Sequence, residues 1–192
     1  MITHQDIEKL FGELLSRIKD KNLARKVVDT WVLGCSRGHW ETIEALKKMP
    51  FTLLVDTHPI GFVEHTIAVT AGAIGLARAQ MENYSKMPYE IDFESLIAGA
   101  LLHDIGKLLE YEPDGKGGYR QSYNGKCARH PISGAILASE VGLSDKIINM
   151  IACHAEEGRG RPQRIETVLI HQADFATFNP LAMAANGKLI AD

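Results

Sequence analysis

Six residues of this chain could do chemistry together: His65, the adjacent pair His103-Asp104, His130, His154 and Asp174. Imidazole and carboxylate are the side chains that hold first-row divalent ions in mixed sets. Four of the six would hold one ion. All six, with Asp104 bridging, would hold two. Mixed nitrogen and oxygen ligation favours Mn, Fe, Co, Ni or Zn over Ca. An ion of this kind lowers the pKa of bound water from 15.7 toward about 7, giving a hydroxide nucleophile at neutral pH. A pair about 3.5–4 Å apart would also steady a phosphoryl oxygen. Each residue has a plainer use when taken singly: His154 as a hydrogen-bonded core residue, His130 as a helix cap, Asp174 as an arginine's partner. Four histidines at helix ends or on apolar faces, with two carboxylates, ask for a common partner, because burying such groups unpaired is expensive.

The elements that must position them are helical. The stretch from Asp92 to Glu110 reads as one helix with an apolar arc of Ile97, Ala98, Leu101, Leu102, Ile105, Leu108 and Leu109. His103, Asp104 and Lys107 fall on the other side, among Gly99, Ala100 and Gly106. Small residues there predict a second backbone close by instead of bulk solvent. Gly61-Phe62-Val63-Glu64-His65-Thr66 opens a helix reaching about Asn83, with Gly61, Ala68, Gly72, Gly75 and Ala79 on the face of His65. The two small-residue seams are expected to pack together. His130-Pro131 starts a helix that stops near Gly142, with Pro131 at its first position. Ser144 caps the next, whose stripe of Ile147 and Ile151 turns His154 inward. Glu166 to Phe178 is a further helix carrying Asp174, with a turn or two more after Asn179. Between Glu112 and Arg129 the chain is loop-like, and Asn124-Gly125 could close a small hairpin.

Residues 1–50 show no chemistry. Thr3 and Asp6 form a capping signal, and three apolar stripes, the last stopped by Pro50, read as helices that cover the core. The expected division is an N-terminal helical extension, 1–50, and a main domain, 51–192. At 192 residues with 45% hydrophobic and 23% charged residues, the chain suits one soluble globular domain with such an appendage. A net charge of −3 excludes a basic footprint for duplex nucleic acid but not a short or single nucleotide. Cys35, Cys127 and Cys153 show neither pairing nor zinc-ribbon spacing, no leader is evident and no apolar run spans a bilayer. These features read as cytoplasmic, with no membrane partner. A homo-oligomer is compatible with them.

The order His65, His103-Asp104, Asp174, with His-Asp-Ile-Gly-Lys and two intervening histidines, resembles the HD-domain metal-dependent phosphohydrolases over roughly residues 51–178. Histidines at the places of His130 and His154 resemble the two-metal subgroup, which includes HD-type 3′–5′ exoribonucleases and HD-GYP phosphodiesterases. The segments around His65 and His103 look closest to the exoribonucleases. Two departures bear on substrate. Ala155-Glu156-Glu157-Gly158 follows His154 where a Gly-Tyr-Pro signature would stand, and no OB module accompanies the domain. The resemblance implies that His65, His103, Asp104 and Asp174 hold one ion and that Asp104, His130 and His154 hold another. Lys107 shares the face of His103 and Asp104, where it could meet a phosphate oxygen or act as a helix-end charge. Arg129, Arg159, Arg161 and Arg164 border the site in sequence and could clamp phosphates, Arg129 and Arg161 being the substrate contacts expected here. Glu64 and Glu110 could orient ligand histidines.

The expectation is an all-α bundle of seven to nine helices with no parallel sheet. Its activity would be hydrolysis of a phosphoester in a nucleotide or short oligonucleotide, by a hydroxide on one or two divalent transition-metal ions. The alternative is a regulatory domain that senses metal or nucleotide with little turnover.

Overall fold

The N-terminal helices close over the middle of the chain. Helix α1 (His4–Leu15) begins with the expected capping box: Asp6 N–H donates to Thr3 Oγ1 and Thr3 N–H to the Asp6 carboxylate. Asp20 caps α2 (Lys21–Arg37) by accepting from Asn22 and Leu23. The short α3 (Ile43–Lys48) is capped by Thr42. Phe11, Trp31 and Phe62 pack in sequence as tilted pairs, with ring centroids 4.8 and 5.4 Å apart. These rings belong to one hydrophobic cluster that also takes in Leu101, Ile105 and Ile151. Burying each such side chain is worth about 1.5–3 kcal/mol, so α1 and α2 are part of what keeps the centre folded. The structure, a computed structural model, describes residues 1–190, so the last two positions of the 51–192 division lie outside the described residues.

Two long helices form the middle of the bundle. Helix α4 (Phe62–Asn83) packs along α10 (Ile165–Ala185), which continues through Pro180. Against them lie α5 (Phe93–Leu102), capped by Asp92, and α9 (Asp145–Cys153), which follows α8 (His130–Glu140). Two short helices, α6 (Lys107–Glu110) and α7 (Tyr123–Cys127), flank a hairpin of β1 (Tyr111–Pro113) and β2 (Tyr119–Gln121), paired antiparallel. The fold is the all-α bundle expected from the pattern, with this hairpin as its sheet among the described residues.

Three local expectations are corrected. The helix expected from Asp92 to Glu110 is broken. It ends at Leu102, and the chain turns tightly through residues 103–106 before α6. The bonds there span three residues, as from Lys107 N–H to Asp104 O at 2.8 Å. The seams do not pack on one another. Gly72 lies against Ala173 of α10, Gly75 and Ala79 are exposed, and Gly99 meets Met150 of α9. Gly106 and Gly61 do make the expected close approach to backbone: a Cβ at Gly106 would overlap the His130 carbonyl oxygen, and one at Gly61 the Lys47 carbonyl oxygen. The hairpin is closed by residues 114–118, where the Asp114 carboxylate accepts from Lys116 and Gly118. Asn124-Gly125 lies instead inside α7, where Ser122 Oγ caps Gly125 N–H.

Candidate metal centre

The six residues come from five places in this bundle. His65 lies in the second turn of α4, His103 and Asp104 in the turn after α5, His130 opens α8, His154 ends α9, and Asp174 lies on α10. The structure brings all six together. Asp104, almost fully buried, sits in the middle. Its Oδ2 lies 3.6 Å from His65 Nε2 and 3.4 Å from His103 Nε2. Its Oδ1 lies 3.2 Å from His130 Nε2 and 3.5 Å from His154 Nε2. Asp174 Oδ1 stands 3.1 Å from His65 Nε2, at the mouth of the group.

Two histidines are aimed by one device. At the C-terminal end of α5, His103 Nδ1 bonds the Ala100 carbonyl at 2.7 Å; at the end of α9, His154 Nδ1 bonds the Ile151 carbonyl at 2.8 Å. Each ring takes a carbonyl three residues back, one that the helix end leaves free. With Nδ1 donating, Nε2 presents its lone pair to the centre. Glu110 does the same for His130: its carboxylate lies 2.7 Å from the ring Nδ1 and accepts the His130 backbone N–H at 2.8 Å. His65 is held differently, by Phe51, whose ring stacks on it with centroids 4.0 Å apart. Glu64 is exposed and caps Gly61 N–H, so it orients no ligand histidine.

These groups fit a metal. Among the described residues, Nε2 of His65, His103 and His154 and both oxygens of Asp104 are buried without a hydrogen-bond partner. The 3.1 Å approach of Asp174 to His65 is close in distance but lacks hydrogen-bond angles. Of these five, only Asp104 Oδ2 has an ion-pair contact with a lysine or arginine, Lys107, and so many buried polar atoms unbonded at one point would be costly unless something binds there. Atoms around an ion with ligand distances of about 2.1 Å stand about 3–3.5 Å apart, close to the separations seen. In two overlapping triads, His65-His103-Asp104 and Asp104-His130-His154, the ligand atoms all lie within 4.8 Å of one another.

The electrostatics agree. Burial pushes the Asp104 carboxyl up, but Lys107, His103 and His130 outweigh it and hold it well below the usual carboxylate range. Asp174, raised by burial and lowered by His65 and His103, comes to about 2. Both are therefore anions. Burial lowers His65 and His130, keeping them neutral as ligands must be. Burial lowers His103 too, but Asp104 reverses the sign and raises it. That anion attracts positive charge, proton or metal, to its Oδ2 side. Lys107 answers the same pull: its Nζ lies 2.6 Å from Asp104 Oδ2 and donates to the Phe51 carbonyl at 2.5 Å.

A cleft of about 520 Å³ opens above the centre, walled by Lys107, His130 and Asp174 on its floor and by Leu54, Phe175 and Phe178 on its sides. Arg129 stands on its rim, paired with Glu157 at 2.7 Å. Arg161 lies outside this cleft, in a neighbouring depression. Arg159 pairs with Glu156, and Arg164 pairs with the buried Glu166, which ties α10 to the Asp92 backbone. Sequence reasoning missed Phe51. It also missed Tyr111, Phe175 and Phe178 in the cleft wall. Phe178 closes the expected C-terminal helix, and that position was its only signal.

Among characterised proteins, ribonuclease Y of Pseudothermotoga lettingae is 32% identical over 145 residues, 76% of this chain and 23% of that protein. A dihydroneopterin 2′,3′-cyclic phosphate phosphodiesterase of Methanocaldococcus jannaschii is 28% identical over 170 residues, 85% of this chain and 66% of that protein. Ribonuclease Y of Thermosipho melanesiensis is 29% identical over 145 residues, 76% of this chain and 23% of that protein. The chain thus spans less than a quarter of the ribonuclease Y relatives and just under two thirds of the phosphodiesterase. No solved structure matches it significantly. No helix among the described residues is long and apolar enough to cross a membrane. The HD domain family model covers residues 62–175, from the start of α4 to just beyond Asp174, and the chain belongs to that family, within the HD metal-dependent phosphohydrolase superfamily.

Proposed function

We propose that this protein is a metal-dependent phosphodiesterase acting on a nucleotide or short oligonucleotide. The observation that carries the reading is the set of buried atoms without hydrogen-bond partners, three Nε2 and two carboxylate oxygens, beneath a cleft of ligand size that Lys107, His130 and Asp174 line. The relatives' names support a diester: ribonuclease and cyclic phosphate phosphodiesterase both denote diester cleavage. His65, His103, Asp104 and Asp174 would hold one divalent ion, and Asp104, His130 and His154 a second. Bound there, Mn, Fe, Co, Ni or Zn would activate water and polarise a phosphoryl oxygen.

The chain's own groups supply the rest. Ala100 and Ile151 carbonyls hold the Nδ1 protons of His103 and His154, and Glu110 holds that of His130, so no ring turns its Nε2 away. Lys107, on the cleft floor, meets a phosphate oxygen and steadies the charge that develops as the P–O bond breaks. Arg129 contacts substrate from the rim. Residues 1–50 brace the turn that carries Asp104, and residues 51–192 form the hydrolase domain.

The Lys107–Asp104 contact favours a second reading. A lysine on the bridging carboxylate competes with metal, as suits a regulatory domain with little turnover. Hydrolysis of bis-p-nitrophenyl phosphate by Mn-loaded protein, with metal analysis before and after chelation, separates the two. Turnover lost with chelator and restored by Mn supports the enzyme. Bound metal without turnover supports the sensor, and absence of metal sinks both.

A further inference from the structure

The cleft over the centre shares walls with a depression on each side. Thr52 and Leu53 line both the cleft and a groove of about 760 Å³, which is bordered by Lys47, Lys48 and Tyr119. At the other end, Ala155, Glu156 and Phe175 line both the cleft and a pocket of about 310 Å³ that holds Arg161 and His171. The three run in series with the metal centre beneath the middle one. A single cavity of about 300–1,000 Å³ takes one small ligand. Three in series outsize a mononucleotide.

Charge is distributed to match. Acidic groups, Glu110 and Asp174, stand with the histidines in the middle part, where metal ions would balance them. Lys107 and Arg129 stand there too, paired with Asp104 and Glu157, and the unpaired cations stand at the ends. Lys47, Lys48 and Arg161 are exposed, and none of them makes an ion pair among the described residues. Of the acids lining these ends, Glu156 binds Arg159, and Asp56 accepts from His58 N–H. Flat side chains stand between the cations: Tyr119 in the groove, Phe178 in the cleft, Phe175 between cleft and pocket. Cations that follow a backbone, interleaved with rings that accept any base, are what single-stranded nucleic acid needs.

We propose that a single-stranded oligonucleotide lies across the metal centre in this track, its backbone held by Lys47 and Lys48 at one end and by Arg161 at the other. The inference rests on the phosphodiesterase reading and narrows it to diesters that extend on both sides of the bond cut. It also gives Arg161 a place on substrate, two cavities from Lys47.

The test measures binding of fluorescein-labelled phosphorothioate oligouridylates, from dinucleotide to dodecanucleotide, to Mn-loaded protein by anisotropy, with bis-p-nitrophenyl phosphate turnover measured in parallel. Affinity should rise at least tenfold from dinucleotide to dodecanucleotide. Lys47→Ser with Lys48→Ser should remove most of that gain and lower the slope of log affinity against log salt by about 1.4, at ~0.7 per phosphate contact on a single strand. Arg161→Ser should lower it by about 0.7. Lys21→Ser with Arg25→Ser removes the same charge from a depression that shares no wall with the track, so it should cost far less. Affinity independent of length overturns the track in the unmodified protein, whatever the variants do. So does an equal loss in the Lys21/Arg25 control. Turnover of bis-p-nitrophenyl phosphate without length dependence removes the track and keeps the phosphodiesterase. Length-dependent binding without turnover does the reverse.

Discussion

The two oxygens of Asp104 look onto differently built half-sites. On the Oδ1 side, both histidines are fixed by hydrogen bonds at Nδ1, His130 to Glu110 and His154 to the Ile151 carbonyl. On the Oδ2 side, His103 is fixed in that way, but His65 is held by ring stacking on Phe51. That side has more charge: a second carboxylate in Asp174, and Lys107 against Asp104. One half-site is therefore precise in aim and poor in ligands. The other has more ligands, looser aim and an internal cation already in place. The comparison teaches that binding strength and orientation are supplied separately. The Oδ2 side should keep its ion longer under dilution, while the Oδ1 side depends on its supporting bonds.

The largest expected effect comes from the residue the two sides share. Asp104→Ala should remove metal from both, abolish hydrolysis and lower the melting temperature, since bound metal stabilises the fold by mass action. Full metal content in that variant would break the bridging assignment. Lys107→Ala comes next. Metal content on both sides should hold while turnover falls on the order of 10²–10³-fold, the cost of losing one charge-stabilising donor. Unchanged turnover would return Lys107 to a charge that only neutralises Asp104. Glu110→Gln should sharpen the contrast. It keeps the shape but weakens the hold on His130, so affinity for one of two ions should fall about 10–100-fold, with the other unaffected. Equal loss of both in a calorimetric titration would show that the half-sites are not independent.

The smallest effect is on acid stability of the metal-free chain. Asp174 falls from 3.8 to about 2 in the folded state, and Asp104 lies well below 3.8. A depressed carboxylate adds stability that is complete above its unfolded value and fades as pH falls through the folded one. Metal-free protein should therefore lose this contribution between about pH 4 and pH 2, and Asp174→Asn should flatten part of that slope. An identical acid profile for the variant would remove Asp174 from the electrostatics of the Oδ2 side.

Much of this was readable from residue types. The Thr3/Asp6 box and the Asp92 cap are local chemistry, and each formed as written; the Pro131 helix start is also local, and the helix begins one residue earlier, at His130. The six candidate ligands were picked out by type and order, and the fold brings them together. The break after Leu102 was not readable. Residues 95–106 are buried almost all round, so an apolar arc cannot tell a helix that continues from one that stops. The stop lies in a ring nitrogen taking the Ala100 carbonyl, which a helical wheel does not represent. Phe51 was invisible for a related reason. Its work is done by a ring face on His65 and a main-chain oxygen on Lys107, and neither leaves a mark on spacing. The small-residue seams misled because Gly72 and Gly99 face α10 and α9, and a wheel shows which residues share a side but not which helix lies opposite.

The turn bearing Asp104 is gripped from outside by indoles. Trp31 Nε1 donates to Leu101 O at 3.1 Å, just before the turn, and Trp40 Nε1 donates to Leu108 O at 2.8 Å, just after it. These are the only two tryptophans in the sequence. The chain therefore carries a built-in optical gauge. All its indole emission arises from two rings bonded to the ends of the segment that would shift if the bridging carboxylate changed partner from lysine to metal, so loading of the centre should be legible in the protein's own fluorescence without any label.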